Sequence, residues 1–248
     1  MAQTLAGKIA LVTGGSRGIG AATAVQLASE GATVALSYSN SEAQAKEVVA
    51  KIAASGGTAF ALKADQAIAS EVKELVAQVV KRFGKIDILV NNAGVFETGT
   101  IAETTDTTGF ERQSRINYEA VVTAIREASR VMGEGGRIIS VSSALALRST
   151  WPGLADYSAT KRAIEGYTKG AARDLGPKGI TVNVIGVGST NTEMNPDDSA
   201  FAEAQAAANA LGRFGRPEEI AAAVAFIASP AASFITGSII PVDGGYSA

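Results

Sequence analysis

The chain has 248 residues, of which 46% are hydrophobic and 19% are charged, and its formal net charge is −2. This length and apolar content suit one α/β domain, and the lack of a basic block gives no electrostatic support for nucleic-acid binding. The sequence has no cysteine and no histidine, which excludes disulfides, thiolate nucleophiles, the Ser–His–Asp triad and His-ligated metal sites. We therefore predict no metal. We also predict no membrane segment and a cytoplasmic location, because no apolar run approaches membrane-spanning length.

Apolar strands alternate with helical patterns along the whole chain. We predict strands at residues 9–13, 33–37, 58–63, 86–90, 137–142, 181–187 and 238–242, and helices near 19–30, 42–55, 69–83, 110–132, 156–176 and 217–229. Near-continuous apolar strands separated by helices indicate a parallel sheet covered on both faces. No linker or repeat divides the chain. The prediction is one α/β domain over residues 1–248, a Rossmann-type doubly wound sheet of about seven strands with helices on both faces.

A glycine-rich turn, Gly14-Gly-Ser-Arg-Gly-Ile-Gly20, connects the first predicted strand to the first helix. This arrangement favours a bound phosphate, because backbone N–H groups and the helix dipole point at the anion. The spacing alone is a modest signal, since glycines between a strand and a helix often serve only the turn. The cofactor contacts that we predict here are Gly14, Ser16, Arg17, Gly18, Ile19 and Gly20.

The second predicted strand ends in Tyr38-Ser39-Asn40, without an acid. NAD-binding Rossmann proteins usually place Asp or Glu there to hold the ribose hydroxyls, and such a carboxylate would repel a 2′-phosphate. The first acid is Glu42, inside the next predicted helix, whereas Arg17 is suited to pair with a phosphate. We predict NADP(H) over NAD(H), with Tyr38, Ser39 and Asn40 as contacts. The alternative is that Arg17 is only a solvated loop residue.

Two further motifs follow, Asn91-Asn-Ala-Gly94 and Tyr157-Ser-Ala-Thr-Lys161. With the glycine-rich turn, they make the chain resemble the short-chain dehydrogenase/reductase family, and the resemblance extends to Val242-Asp-Gly-Gly-Tyr246. It implies that Asp65 binds adenine, although Gln66 stands where an aliphatic residue is usual. It also implies a structural role for Asn91. The remaining cofactor contacts implied by the resemblance are Gln66, Asn92, Ala93, Gly94, Tyr157, Lys161, Gly188, Thr190 and Thr192.

The resemblance also implies a catalytic tetrad of Asn117, Ser143, Tyr157 and Lys161. Tyr157 and Lys161 lie four residues apart and so share one helix face, where an ammonium is expected to lower the pKa of the phenol. Asn117 is implied to bend its helix and to hold a water that relays protons to Lys161. Ser143 precedes Tyr157 by 14 positions, one more than is common in the family, which leaves Ser142 as a weaker alternative. Without the other motifs, the Tyr–Lys pair would be read as an ordinary surface pair.

The substrate is less constrained by the sequence. Candidate pocket residues are Val95, Phe96, Ser143, Trp151, Leu154 and Met194, with a helical lid around residues 189–212. We predict NADPH-dependent reduction of an apolar or aromatic ketone to a secondary alcohol. The alternative is a 3-oxoacyl-acyl-carrier-protein reductase, which should need basic residues beside the pocket; Lys178 fits that role and Glu134 opposes it. A non-enzymatic nucleotide sensor is less favoured, because all four tetrad residues are present.

A homotetramer is implied by the resemblance, with a dimer as the second choice. The predicted helix at 156–176 carries small residues on neighbouring turns, which permits close packing across a subunit interface. These residues are Ala159, Ala163, Gly166 and Gly170. The last strand is also implied to be an oligomer contact.

Overall fold

The computed structural model describes residues 3–248, so residues 1 and 2 of the predicted domain lie outside the described range. Seven strands form one parallel sheet in the order β3-β2-β1-β4-β5-β6-β7. The strands are β1 (Ile9–Val12), β2 (Thr33–Tyr38), β3 (Thr58–Lys63), β4 (Ile88–Asn91), β5 (Arg137–Ser143), β6 (Thr181–Val187) and β7 (Ile239–Val242). This confirms the predicted α/β Rossmann-type sheet.

Within residues 3–248, eight α-helices connect and cover the strands. They are α1 (Gly18–Ser29), α2 (Glu42–Ala54), α3 (Ala69–Phe83), α4 (Thr108–Ser114), α5 (Ala120–Val131), α6 (Ala155–Leu175), α7 (Ala202–Ala207) and α8 (Pro217–Ala228). Helices α1, α2 and α8 pack on one face of the sheet, and α3, α5 and α6 pack on the other. Alternate strand residues supply the two cores: Ala10 and Val12 face one, and Ile9 and Leu11 face the other.

Helix α3 illustrates how the sequence sets these elements. Its buried residues Val72, Leu75, Val76 and Val79 recur at helical spacing and form one apolar stripe. The helix ends at Gly84, whose φ of +77° is a left-handed conformation that a residue without a Cβ adopts readily. Burying each of these side chains contributes roughly 1.5–3 kcal/mol, so the stripe fixes the helix on the sheet.

The order of the strands reverses between β1 and β4, which are adjacent in the sheet but separated in the chain by β2 and β3. In open parallel sheets, such a switch point leaves a crevice outside the carboxyl ends of the strands, where ligands bind. The glycine-rich turn follows β1, and Asn92 follows β4, so both border this crevice. The fold therefore places the two motifs beside each other.

The predicted helix at 110–132 is divided by a π-helical turn, Arg115–Glu119, between α4 and α5. The backbone N–H of Ala120 donates to the carbonyl of Arg115, five residues earlier, which is the hydrogen bond of a π-turn. Asn117, which is implied to bend its helix, lies within this turn.

The predicted lid contains much less helix than its alanine-rich sequence indicated. Only α7 is α-helical between residues 189 and 212. Turns occupy residues 196–201, because Pro196 cannot continue a hydrogen-bonded ladder and the polar residues after it favour turns. Among the described residues, no helix combines the length and apolar character needed to cross a bilayer.

Candidate active site

The glycine-rich turn closes tightly on itself and on the end of β4. A Cβ placed on Gly20 would lie 2.2 Å from the carbonyl oxygen of Gly14 and 2.4 Å from Nδ2 of Asn92. Gly14 has φ of +63°, and a Cβ there would lie 2.9 Å from Cα of Ala93. Because these approaches leave no space for side chains, the turn presents bare backbone to the crevice. Such a cradle fits the pyrophosphate of a dinucleotide.

Thr13 and Asn92 hold this turn in place. The hydroxyl of Thr13 accepts hydrogen bonds from the backbone N–H groups of Asn92 and Ala93, each at 3.1 Å. The side-chain amide of Asn92 donates to the carbonyls of Thr13 and Gly14 at 3.0 and 3.1 Å. Asn92 was predicted as a cofactor contact, yet its amide N–H groups are used to order the turn. Asn91 is buried and donates to Ser140 at 3.3 Å, as its structural role requires.

The end of the site beside β2 carries little negative charge. Arg17 is exposed, and none of the ion pairs found within residues 3–248 uses its guanidinium. Ser39 is partly exposed at the end of β2. The carboxylate of Glu42 lies 2.7 Å from the ammonium of Lys46, which offsets its charge. This environment accepts a phosphate more readily than a Rossmann site with an acid at the end of β2.

Asp65, the predicted adenine contact, is held by a partner residue, Arg112, that the sequence did not indicate. Both its carboxylate oxygens lie 3.1 Å from a nitrogen of Arg112 on α4, and Oδ1 also accepts from the N–H of Ala67 at 2.9 Å. The neighbouring Gln66 is buried, and its side-chain nitrogen has no hydrogen-bond partner in the described part of the chain. The predicted adenine end therefore has an oriented carboxylate and one unused donor.

The loop after β6 brings the remaining predicted contacts toward the turn. A Cβ on Gly18 would lie 3.2 Å from Cγ2 of Thr192, so Thr192 covers the start of α1. Gly188 packs so closely on residue Asp243 that a Cβ would lie 2.7 Å from its Cα. Thr190 is buried and donates to the carbonyl of Gly188 at 3.1 Å. Its hydroxyl is therefore committed within the loop.

Helix α6 carries Tyr157 and Lys161 on one side, next to the end of β5. The Lys161 nitrogen lies 5.7 Å from the centroid of the Tyr157 ring, and it donates to the carbonyl of Val141 at 3.1 Å. The side chain of Ser143 lies close enough to Tyr157 to lower the pKa of its phenol. The hydroxyl of Ser142 instead points to the carbonyl of Lys161 and the carboxylate of Glu165, each at 3.2 Å. Ser143, not Ser142, is thus the serine next to the phenol.

Burial sets the protonation states of this pair. Desolvation raises the pKa of Tyr157 to about 12, and the neighbouring Ser143 side chain lowers it by a smaller amount. Desolvation also lowers the pKa of Lys161 to about 8. The prediction that Lys161 lowers the pKa of Tyr157 is wrong for this geometry, because loss of water around the phenol outweighs any stabilisation of the phenolate. Tyr157 is therefore protonated at neutral pH and can act as an acid.

Asn117 links the loop after β4 to α6. Its Oδ1 accepts from the N–H of Val95 at 2.9 Å, and its Nδ2 donates to the carbonyl of Val95 at 3.0 Å and to Thr160 at 3.3 Å. Thr160 in turn donates to the carbonyl of Tyr157 at 2.8 Å. A Cβ on Gly94 would lie within 3.4 Å of both Asn117 Oδ1 and Lys161 Nζ. All four members of the predicted tetrad therefore lie in one connected cluster.

The predicted pocket residues differ in how much of their surface they expose. The rings of Phe96 and Tyr157 meet edge to face with centroids 4.7 Å apart. Trp151 and Met194 are 40% and 53% exposed, as open pocket walls would be. Leu154 is 2% exposed because it lies at the inward-facing start of α6. It offers almost no surface to a ligand, so the structure does not support it as a wall.

Several positioning residues were missed by the sequence analysis. Thr160 lies inside the Tyr157–Lys161 motif, so its place on the inner helix face was readable from the spacing. Thr13, Arg112 and Glu165 act across long sequence separations, and no local pattern pointed to their partners.

Comparison with known proteins matches this site to a large group of oxidoreductases. A family model described as enoyl-(acyl carrier protein) reductase matches residues 14–247. A short-chain dehydrogenase from Burkholderia cenocepacia, solved in complex with NADP, is 47% identical over 99% of this chain and 100% of that chain, with a TM-score of 0.96. A 3-oxoacyl-[acyl-carrier-protein] reductase from Synechocystis is 39% identical over 97% of each chain. A cyclic-di-GMP-binding biofilm dispersal mediator from Escherichia coli is 39% identical over 98% of each.

The lowered pKa of Lys161 can be measured directly. We expect its side-chain Cε resonance, in protein labelled with ¹³C-lysine, to titrate with a midpoint of about 8, because burial penalises the ammonium. Lysines in water titrate near ~10.4, so this resonance should move about two pH units before the others. Lys161→Met should remove it and thereby assign it. A midpoint indistinguishable from those of the other lysines would contradict the desolvated environment.

Proposed function

Because the chain belongs to the short-chain dehydrogenase/reductase family, we propose that it is an NADPH-dependent oxidoreductase that reduces a ketone to a secondary alcohol. The observation that carries this proposal is the cluster of a protonated tyrosine, a neighbouring serine and a buried lysine at the crevice of the sheet. A neutral phenol suits proton donation, which is the step that ketone reduction requires of the protein.

The cofactor assignment rests on how the residues of the site fit the parts of a dinucleotide. The glycine-rich turn leaves a backbone cradle for a pyrophosphate, and Gly94 brings its backbone close to Asn117 and Lys161, where a Cβ would be crowded. Arg17, with no acid at the end of β2, favours NADP(H) over NAD(H), in line with the NADP bound to the Burkholderia relative. When bound, the nicotinamide supplies the hydride for the carbonyl carbon. Residues 189–212 would then lie beside it as a lid over the substrate.

The side chains around the carbonyl would divide the remaining work. Tyr157 donates its proton to the carbonyl oxygen, and the raised pKa keeps that proton available throughout the neutral range. Ser143 donates a hydrogen bond to the same oxygen and stabilises the negative charge that develops on it. Lys161 would hold the nicotinamide ribose. Asn117 holds the main chain at Val95 and, through its hydrogen bond to Thr160, joins it to the helix that carries Lys161.

The apolar surface around Tyr157 supports an apolar or aromatic ketone as substrate. Phe96 packs against the phenol, and Trp151 and Met194, the other apolar residues predicted for this pocket, are exposed. Acyl-carrier-protein docking would need basic residues beside this pocket. Lys178 instead lies just before β6 and donates to Ser129, at the edge where β5 and β6 begin. Seven residues of β5 separate that edge from Ser143, or about 20 Å within the subunit.

The carrier-protein reductase remains the alternative, since the Synechocystis relative carries that activity in its name. A nucleotide sensor is the less favoured reading, although the Escherichia coli relative is named for binding cyclic di-GMP. A sensor has no need of a buried lysine beside a protonated tyrosine. The cluster of four catalytic side chains therefore favours an enzyme.

We further propose a cytoplasmic homotetramer. Helix α6 exposes Ala159, Gly166 and Gly170, which would permit a close approach by a second subunit. Phe226 and Phe234, at the end of α8 and in the turn after it, are 52% and 102% exposed and offer a second apolar contact. Two separate surfaces are what a tetramer with two kinds of interface requires.

The proposed activity is tested by following NADPH oxidation against small alkyl ketones, aryl ketones and a 3-oxoacyl thioester. We expect the highest kcat/KM with an aryl ketone, and Tyr157→Phe should lower kcat by about 10²- to 10⁴-fold by removing the general acid. The variant should still bind NADPH, as measured by cofactor fluorescence. Turnover of the acyl-carrier-protein thioester far above every free ketone would instead assign the carrier-protein reductase. Tight NADPH binding with no turnover would favour the sensor.

The two adjacent serines form a matched pair for testing the role of Ser143. Ser143→Ala should lower kcat by about 10²- to 10³-fold, the usual cost of one donor to a developing oxyanion. It should lower the free energy of unfolding by no more than about 0.5–2 kcal/mol, because its hydroxyl also accepts from the N–H of Leu145. Ser142→Ala should lower the free energy of unfolding by about 1–3 kcal/mol, because it leaves the buried Oε1 of Glu165 without a donor while Arg162 still binds Oε2, and should retain most turnover. If Ser142→Ala abolished turnover in folded protein while Ser143→Ala did not, the assignment would be reversed.

Arg17 is proposed to read the 2′-phosphate. Arg17→Ala should raise the KM for NADPH by about 10- to 100-fold, since a charge-assisted hydrogen bond contributes about 1.5–3 kcal/mol. The KM for NADH should change by no more than about twofold, because NADH lacks that phosphate. Arg173→Ala, an exposed arginine near the end of α6, is the control for lost surface charge. Equal losses with both cofactors would show that Arg17 supports the turn instead.

A further inference from the structure

Residues 243–247, after β7, turn back toward the loop after β6 and include a buried aromatic side chain. Tyr246 is 5% exposed, although the last strand had been expected to serve contacts between subunits. Its backbone N–H donates to the carbonyl of Asp243 at 3.2 Å, which turns the chain inward. The Asp243 carboxylate accepts from the N–H groups of Gly245 and Ser247 at 3.0 and 3.1 Å. The segment is therefore an ordered part of the fold.

This segment touches two elements of the active site. A Cβ on Gly188 would lie 2.7 Å from Asp243, so the loop after β6 rests directly on the segment. The carbonyl of Gly244 accepts from the N–H of Leu211 at 3.0 Å, at the end of the lid region. A Cβ on Gly245 would lie 2.6 Å from Cβ of Ala210. The loop after β6 and the lid thus share one support.

The Tyr246 hydroxyl makes the third connection, to the loop at residues 147–151. Its oxygen lies 2.8 Å from the hydroxyl of Thr150, and its O–H lies 3.4 Å from the carbonyl of Arg148. Thr150 can donate to Tyr246 while Tyr246 donates to Arg148, so both contacts form together. The loop has no regular secondary structure over residues 148–150. A side chain from the far end of the sequence therefore fixes its middle.

The same loop is attached to the residue that follows Tyr157. Ser149 lies 2.9 Å from Ser158, the residue after Tyr157, measured between their hydroxyl oxygens. Just beyond the loop, the carbonyl of Gly153 accepts from the N–H of Gly99 at 3.0 Å, in the loop that follows Phe96. Trp151 lies between these two attachments. Its place relative to the phenol therefore depends on how residues 148–150 are held.

We propose that Tyr246 is a specificity-determining positioning residue: its hydroxyl holds residues 148–150 and thereby sets the position of the Trp151 wall of the substrate pocket. The effect on substrate choice rests on the ketone-reductase function proposed above, whereas the effect on the position of Trp151 does not. The ring of Tyr246 supplies buried packing, and the hydroxyl supplies the link. Tyr246→Phe separates the two because it removes only the link.

Trp151 is the single tryptophan of the chain, so its fluorescence reports this loop alone. In Tyr246→Phe and in Thr150→Val, we expect stronger acrylamide quenching and lower emission anisotropy than in the wild type. The control is Tyr167→Phe, a tyrosine that packs edge to face against Tyr118, about 15 Å along α6 from Tyr157. It should leave both signals unchanged. Wild-type signals in both Tyr246→Phe and Thr150→Val would overturn the proposal, whatever the activity of the enzyme.

The kinetic arm compares an aryl ketone such as acetophenone with a small ketone such as butanone. We expect Tyr246→Phe to lower the kcat/KM ratio of aryl to small ketone by about three- to tenfold, the scale of one lost hydrogen bond, through a higher KM for the aryl ketone. The KM for NADPH should stay within about twofold of wild type. Thr150→Val should give the same shift, and the double variant no further shift, because both act through one contact.

The outcomes separate this inference from the proposed function. A changed Trp151 signal with a shifted ketone ratio supports it. The proposal would be overturned if the kcat/KM ratio of aryl to small ketone were unchanged in an active enzyme. It would also be overturned if the KM for NADPH rose as much as the KM for the aryl ketone, because Tyr246 would then have a merely structural role. If the wild type reduces no ketone, the proposed function fails, and the fluorescence comparison alone decides whether Tyr246 holds the loop.

Discussion

The structure depends on the close contact between the glycine-rich turn and the end of β4. Gly20 lies against the Gly14 carbonyl and the Asn92 amide with no space for a Cβ, and Thr13 accepts hydrogen bonds from the chain on the other side. This contact joins the two halves of the sheet where the strand order reverses. It also aligns the start of α1 with residues 92–94. A cradle for phosphate and a path toward Asn117 and Lys161 thus arise from one packing constraint.

Desolvation is the second organising force, and it acts in opposite directions on two neighbouring groups. It favours the neutral forms of both Tyr157 and Lys161, so it raises the pKa of the phenol and lowers that of the ammonium. The phenol therefore keeps its proton over the range in which the lysine begins to lose its own. Under the reductase function proposed above, the phenol would begin each turnover with the proton that it donates. The neighbouring Ser143 side chain moderates the rise in the pKa of the phenol.

Local patterns predicted the fold well, but they did not predict the contacts that support the candidate site. The alternation of apolar strands and helices gave the sheet, because burial on both faces imposes that pattern on the sequence. The four-residue spacing put Tyr157 and Lys161 on one side of α6. The predicted direction of the Tyr157 pKa shift was wrong, because that pKa depends on burial, which the spacing does not reveal. The links Asp65–Arg112 and Thr150–Tyr246 join distant segments, so no window of sequence contained them.

The π-turn at residues 115–119 has a consequence for how the helix region is built. A π-turn is a helix with one residue too many, and one residue corresponds to about 100° of rotation. Helix α4 packs on α6 and sends Arg112 to Asp65, whereas α5 packs on α3. An unbroken helix would present both sets of residues in one fixed phase. The inserted residue uncouples the rotational orientations of the two segments. The segment that carries Asn117 can therefore face the site while α5 faces the core.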